Sequence, residues 1–469
     1  MLWMRSPLRG FVSTAPGQRA LHVGGAAALT VAALALVAGA TRPSTAAPDY
    51  ETPPVLKAAD LASSPELLQG PRFRVEPDVP TDGLLATYTI TSDFGTFTAT
   101  GPGMLGIRDG EIQALDTLEK TSKSEAFQRA LAGSAKRTGK SIATAVTNPV
   151  DTVKGLPEGV GRFFERVGRS VKTGTEKAGD YMNAQKSGQG QSKSTGEVAK
   201  DVGTAAGNAG SDVIGQESSR RRIAKVLRVD PYTTNTVLDA KMNEFAWVVW
   251  AGEFGLDMGI GLVPGGMAIK VTRTWVSDLV WDLSPGDLDV RAEKQLTELG
   301  VPKDTIDRFL RQKWFTRTTR TALLEALKTL ETGPGRTDVI PWALTAASDA
   351  QARFMAGAVI ILAAYHKTQE PIATLRVTGT LVGQTKSGGL VVPAPVDYVS
   401  WTERVARFAT RPDLAGRDRH IWLTGRVSPR TRDELTKLKW SLRENVQSIM
   451  GPGGPAELEG TATNPKTSP

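Results

Sequence analysis

The chain predicts an α+β fold that is predominantly helical. It has an N-terminal β-hairpin followed by basic amphipathic helices, then a C-terminal helical core with a small β-hairpin and a βαβ element. Three observations carry this prediction. Threonine-rich alternation is confined to short stretches, helical periodicity with capping residues recurs through the second half, and nine of the ten tryptophans lie from Trp247 to Trp440. At 469 residues, 40% hydrophobic and 23% charged, the composition is that of a globular protein with roughly two to four folded units. A chain without cysteine has no disulfide, thiolate metal site or cysteine nucleophile, and three histidines leave little imidazole chemistry. No cofactor and no metal site is expected.

The first element is a targeting segment. Met1 to Arg19 contains Arg5, Arg9 and Arg19 and no acid, and the uncharged run Ala20 to Ala40 ends in Ala38-Gly39-Ala40. Basic, apolar and small, in that order, is the pattern of a secretory signal. A second cleavage point follows Ser44-Thr45-Ala46. The competing reading is an uncleaved anchor, because 21 uncharged residues just span a bilayer. The expected location is therefore the periplasm or cell envelope, or the cytoplasmic membrane if residues 1–40 remain as an anchor.

Thr41 to Pro80, rich in proline, serine and alanine without helical period, reads as a linker. Residues 81–121 read as a hairpin–helix unit. Ala86 to Asp93 and Gly95 to Gly101 alternate apolar residues with threonine around a turn at Asp93-Phe94-Gly95. The run Met104 to Ile107 reads as a third strand before a helix from Glu111 to Lys120.

Residues 122–219 change character. From Lys120 to Arg228 there are 20 Lys and Arg against 10 Asp and Glu, whereas the whole chain carries only +8. Here Val160, Phe163, Phe164, Val167 and Val171 share one face of a 3.6-residue helix, with Arg162, Arg166 and Arg169 opposite. Such a helix can lie in a headgroup plane; the alternative is packing on the protein's own core. Outside the cytoplasm, a basic segment meets anionic lipid or envelope polymer rather than nucleic acid. Seven glycines from Gly188 to Gly215 mark a flexible linker, since each interior glycine costs a helix ~1 kcal/mol relative to alanine.

Residues 220–450 read as the main core. The apolar run Phe245 to Pro264 predicts a buried hairpin. Ser284-Pro285 opens a helix to Gly300, and Pro302 opens another to Lys313. Thr316 to Thr332 and Pro341 to His366 continue the helical pattern, and the uncharged run Phe354 to Tyr365 suits a central buried helix. Ala373 to Val382 and Leu390 to Val392, joined at Lys386-Ser-Gly-Gly, predict the second hairpin. A helix from Trp401 to Ala409 follows. The strand His420 to Thr424, helix Ser428 to Leu438 and strand Trp440 to Glu444 then form the βαβ element. Residues 451–469 read as a disordered tail.

Motif searches exclude several chemistries. Gly133 to Ser141 resembles a phosphate loop but has five residues between its glycines, and no G-x-S-x-G, H-E-x-x-H, EF-hand or dinucleotide fingerprint occurs. His366 reads as a helix C-terminal residue and His420 as a structural one. Glu253 and Asp257 would share a helix face in an apolar setting, where burial raises a carboxyl pKa as a general acid requires; this is the weak catalytic alternative. Thr424, Gly425 and Ser428, where a strand meets a helix N-terminus, form a weak anion-binding candidate, and capping by Ser428 explains the same residues. The sequence thus points to an exported cell-envelope protein acting through membrane, polymer or protein contacts rather than catalysis. An envelope hydrolase built on Glu253 and Asp257 is the alternative.

Overall fold

Strands begin earlier than the sequence suggests. A computed structural model describes residues 50–138, 215–251, 254–255, 278–330, 333–416 and 418–446. The features below all belong to the unit that starts at Thr52. β1 (Val55–Lys57), β2 (Gln69–Gly70), β3 (Phe73–Val75) and β4 (Asp78–Pro80) occupy much of the stretch expected to be a linker. Its prolines had suggested an open chain, but they punctuate short strands whose Phe73, Val75 and Val79 are buried. β1 pairs with β4. β5 (Thr87–Ser92) and β6 (Gly95–Thr100) complete a four-stranded antiparallel sheet ordered β2-β3-β5-β6.

The expected N-terminal layout is corrected here. β5 and β6 pair around Gly95 at φ 114°, yet they are part of a larger sheet rather than a free hairpin leading into helices. Nor does Met104 to Ile107 add a strand. Gly103, at φ 76°, turns the chain straight into α1 (Met104–Ser122), which buries Leu105, Ile112, Leu115 and Leu118. The left-handed turn needs glycine, and the apolar residues that resembled a strand are the helix's first buried turn.

α2 (Glu125–Thr138) follows, then α3 (residues 215–227) and α4 (Thr236–Trp250). α3 starts within the stretch assigned to a glycine linker. These helices share a core in which Phe127 stacks on Phe245 at 4.2 Å and meets Phe254 edge-on at 5.4 Å. α4 covers the start of the expected apolar hairpin, and residues 256–277 lie outside the described residues.

Next come α5 (Asp278–Asp282), α6 (Pro285–Glu298), α7 (Lys303–Leu310), α8 (Arg317–Thr329), α9 (Val339–Ala343) and α10 (Asp349–Thr368). Ser284 caps α6 with a reciprocal bond from Asp287, the capping box. The run Pro341 to His366 is two helices, because Ser348 breaks it and caps α10 through the amide of Gln351. Met355 to Tyr365 is buried throughout, so α10 is the axis of the larger core. Among the described residues no helix is long and apolar enough to cross a membrane.

β7 (Ile372–Val377), β8 (Leu381–Thr385), β9 (Leu390–Ala394), β10 (Tyr398–Val399), α11 (Glu403–Ala409), β11 (Arg419–Leu423), β12 (Arg426–Val427), α12 (Pro429–Lys437) and β13 (Ser441–Arg443) complete the fold. Five strands form one sheet ordered β13-β11-β9-β8-β7. The predicted second hairpin is a three-stranded meander, since Gly379 at φ 78° turns the alternating segment back on itself. β11 and β13 pair in parallel across α12, and β9 pairs in parallel with β11. A strap of Gly333, Pro334 and Gly335 covers the outer edge of β7, with the Leu375 amide donating to the Pro334 carbonyl at 3.1 Å. A Cβ on Gly333 or Gly335 would stand 1.7 or 1.8 Å from a β7 carbonyl oxygen, so only glycine permits this approach. With thirteen strands in four sheets among the described residues, the fold is mixed α+β rather than predominantly helical.

Candidate functional site

Parallel strands end with their carbonyls and following loops on one side, and in open α/β sheets that is where ligands gather. β9 and β11 run in register from Leu390↔Arg419 to Ala394↔Leu423. Just past their carboxyl ends, Pro395 and Thr424 form one wall of a cleft. Leu85 and Met104 approach from the N-terminal sheet and α1, and Arg353 and Phe354 rise from α10. The enclosed space is about 40 Å³, enough for a small aliphatic group or two to three waters. Arg353 is the charged residue in this lining.

Arg353 links the cleft to a buried polar cluster. Four residues beyond Asp349 on α10, its Nε donates to Asp349 Oδ2 at 2.9 Å. Its Nη2 reaches Thr234 Oγ1 at 3.3 Å, and Arg108 Nη2 reaches the same hydroxyl at 3.3 Å. Arg108 also donates to Glu111 Oε2 at 2.5 Å. Glu111, 2% exposed, accepts in addition from the Thr233 hydroxyl and from Asn235 Nδ2 at 3.1 Å. Asn235 in turn caps α4. A carboxylate on α1 thereby fixes the start of α4.

Asp230 lies deeper. Its Oδ1 accepts from the Tyr232 amide at 2.8 Å and the Thr318 hydroxyl at 2.5 Å, joining the loop before α4 to the first turn of α8. The residue keeps some accessible area, but its carboxyl is densely surrounded. Burial therefore raises its pKa, against the pull of Thr318, the Tyr232 amide and Arg353. Burial also raises the Tyr232 phenol, whose ring lies under the Arg317 guanidinium at 5.5 Å. Arg220 grips the same loop through the Pro231 carbonyl at 3.1 Å and Asn243 Oδ1 at 2.7 Å. These residues hold α1, α3, α4, α8 and α10 around one loop.

Of the sequence-predicted sites, the turn at Thr424 to Ser428 lies among the described residues. Glu253 and Asp257 lie outside the described residues, as do Val160, Phe163, Phe164, Val167, Val171, Arg162, Arg166 and Arg169. The structure places Thr424 on the cleft wall, with its hydroxyl donating to the Val396 carbonyl at 2.8 Å. Gly425 is pressed on the main chain, and a Cβ there would stand 1.9 Å from the Asp397 carbonyl oxygen. Ser428 caps α12 by accepting from the Thr431 amide at 2.9 Å. The carboxylate at this turn is the protein's own: Glu444 Oε2 accepts the Val427 amide at 3.0 Å, and its other oxygen pairs with Arg432. His366 Nδ1 accepts from the Ile372 amide at 3.1 Å, and His420 pairs with Asp418 at 2.8 Å.

Sequence reasoning missed Arg353, Glu111, Asp230 and Asp397. The spacing of Asp349 and Arg353 was a usable signal for an i,i+4 pair, but the partners of the three acids are remote in sequence. Among the described residues no group of His, Asp and Glu is arranged to hold a metal ion. No family model, curated protein or solved structure matches the chain.

Proposed function

We propose that the chain is an exported cell-envelope protein that acts by binding. Its basic amphipathic segment, with Phe163, Phe164 and Val167 on one face and Arg162, Arg166 and Arg169 on the other, contacts a membrane surface or anionic envelope polymer. Its folded part offers one small apolar group of a partner the cleft past the carboxyl ends of β9 and β11, beside α10. The observation that carries this reading is the state of the acids around the cleft. Asp349 is paired with Arg353, Glu111 with Arg108, Thr233 and Asn235, and Asp230 with Thr318 and the Tyr232 amide. Glu111 and Asp230, held by the protein's own donors, brace helices against one another, and the Arg353 guanidinium and apolar walls that line the cleft suit recognition.

The test is sedimentation of the purified mature protein with phosphatidylglycerol vesicles at low and at 0.5 M salt. Binding at low salt that is lost in Phe163→Glu with Val167→Glu is the expected result. Equal sedimentation of that variant, or none by the parent protein, would overturn the membrane reading.

A further inference from the structure

We propose that Asp397 is a pH-sensitive latch that holds the N-terminal sheet against the C-terminal α/β part and releases it as pH rises. The two parts meet where residues 83–86 lie along residues 397–400. The Asp397 and Tyr398 amides both donate to the Leu84 carbonyl, at 2.9 and 3.2 Å, and the Ser400 amide donates to the Gly83 carbonyl at 3.1 Å. Side chains cross this seam too: Arg404 Nη2 donates to the Asp82 carbonyl at 3.4 Å, and Asp397 Oδ2 accepts the amide of Ala86 at 2.9 Å. Ala86 is 0% exposed and Asp397 only partly accessible, so this bond is largely shielded from water. The fit is close on both sides. Gly83, at φ 87°, leaves space for only 3.0 Å between an added Cβ and the Thr402 methyl, and Gly425 is pressed on the Asp397 carbonyl.

The charges facing Asp397 favour its neutral form. Asp82 approaches from the same seam and raises the Asp397 pKa, while Arg404 on α11 is 3.7 Å from Asp82. From β5 comes the Tyr88 phenol, itself raised first by burial and then by Asp397. From β12, the Arg426 guanidinium donates to the Asp60 carbonyl. No cation bonds to the carboxyl among the described residues, and the Ala86 amide alone favours its charge. Burial lifts the group from 3.8 to about 7.

The sign follows from linkage. A carboxyl that holds its proton more tightly in the docked state stabilises docking fully below the ordinary carboxyl range, and this stabilisation is lost as pH rises through about 7. Above that value an ionised oxygen remains beside Asp82 with a single donor. The latch does not depend on what the cleft binds.

The test is hydrogen exchange of the full chain, following the amides of Ala86, Asp397, Tyr398 and Ser400 at pH 5.5 and 8.5. After correction for the intrinsic rate, opening is expected to rise about thirtyfold between these values in the parent protein. Asp397→Asn keeps an acceptor for Ala86 but cannot ionise, and it should leave opening the same at both. A carbon-13 titration of the Asp397 carboxyl supplies a readout without mutation, with an expected midpoint near 7. A midpoint near 4, pH-independent opening in the parent, or the same pH dependence in Asp397→Asn would overturn the proposal.

Discussion

Removing the Thr318 hydroxyl tests whether the buried cluster is a brace. Thr318, 5% exposed, donates to Asp230 Oδ1 at 2.5 Å across 88 residues of chain. Thr318→Val keeps the shape and deletes one donor, leaving the carboxyl with the Tyr232 amide. A buried hydrogen bond contributes about 0.5–1.5 kcal/mol, and up to about 3 kcal/mol when its acceptor is charged, so a loss of about 1–2 kcal/mol at pH 8 is expected. The Thr318 bond lowers the Asp230 pKa, which means it favours the ionised form. The penalty should therefore be largest at high pH and shrink as pH falls and the carboxyl takes up its proton. Urea unfolding followed by tryptophan fluorescence at pH 5 and pH 8 measures both quantities. The Asp230→Asn background serves as control, because the Thr318→Val effect should shrink where no charge forms. A loss below about 0.5 kcal/mol at pH 8, or an equal loss at both pH values and in both backgrounds, would refute the brace.

Two further outcomes are expected. Gly335→Ala forces a Cβ to within 1.8 Å of the Leu375 carbonyl oxygen at a residue with φ 91°, so the strap must lift from β7. Left-handed strain of about 1–2 kcal/mol and the loss of the Leu375–Pro334 bond should lower the melting temperature. They should also raise light scattering at high concentration, since an uncovered edge pairs with other chains. An unchanged melting temperature would contradict the close approach. Ser284→Ala removes one half of a capping box and should cost about 1 kcal/mol in urea unfolding, with no effect on vesicle binding.

What the sequence disclosed is what neighbouring residues decide. Ser284 and Ser428 announce their helices because an N-cap bonds only two or three residues ahead. The Asp93 to Gly95 turn joins adjacent strands for the same reason. Less was legible wherever one residue reverses a longer pattern. Gly103 converts an apolar run into the first turn of a helix, Gly379 folds one alternating segment into two strands, and Ser348 divides a helical run. The strands from Val55 to Pro80 were hidden by prolines, and they form because Phe73, Val75 and Val79 find a remote core. The candidate site was least legible. Glu111 meets partners 122 and 124 residues away, and the bond from Ala86 to Asp397 spans 311 residues. No local pattern encodes such pairs. Thr424, read as part of a weak anion-binding turn, lies on the cleft wall with its hydroxyl bonded to the Val396 carbonyl.

The 311-residue reach of that seam also governs when the protein can finish folding. A ribosome adds roughly 5–20 residues per second, so the strip containing Leu84 and Ala86 waits about 15–60 s for its counterpart to be made. Until then the N-terminal sheet can pair internally and pack on α1 but lacks the C-terminal strip it docks on, and closing so long a loop is slow. The nascent chain therefore passes through a stage in which Ala86 is uncovered while much of the sequence is already synthesised. Chaperones and proteases would meet this protein at that stage, and substitutions at Gly83 or Gly425 should reduce its yield in cells more than they reduce the stability of molecules that have already closed.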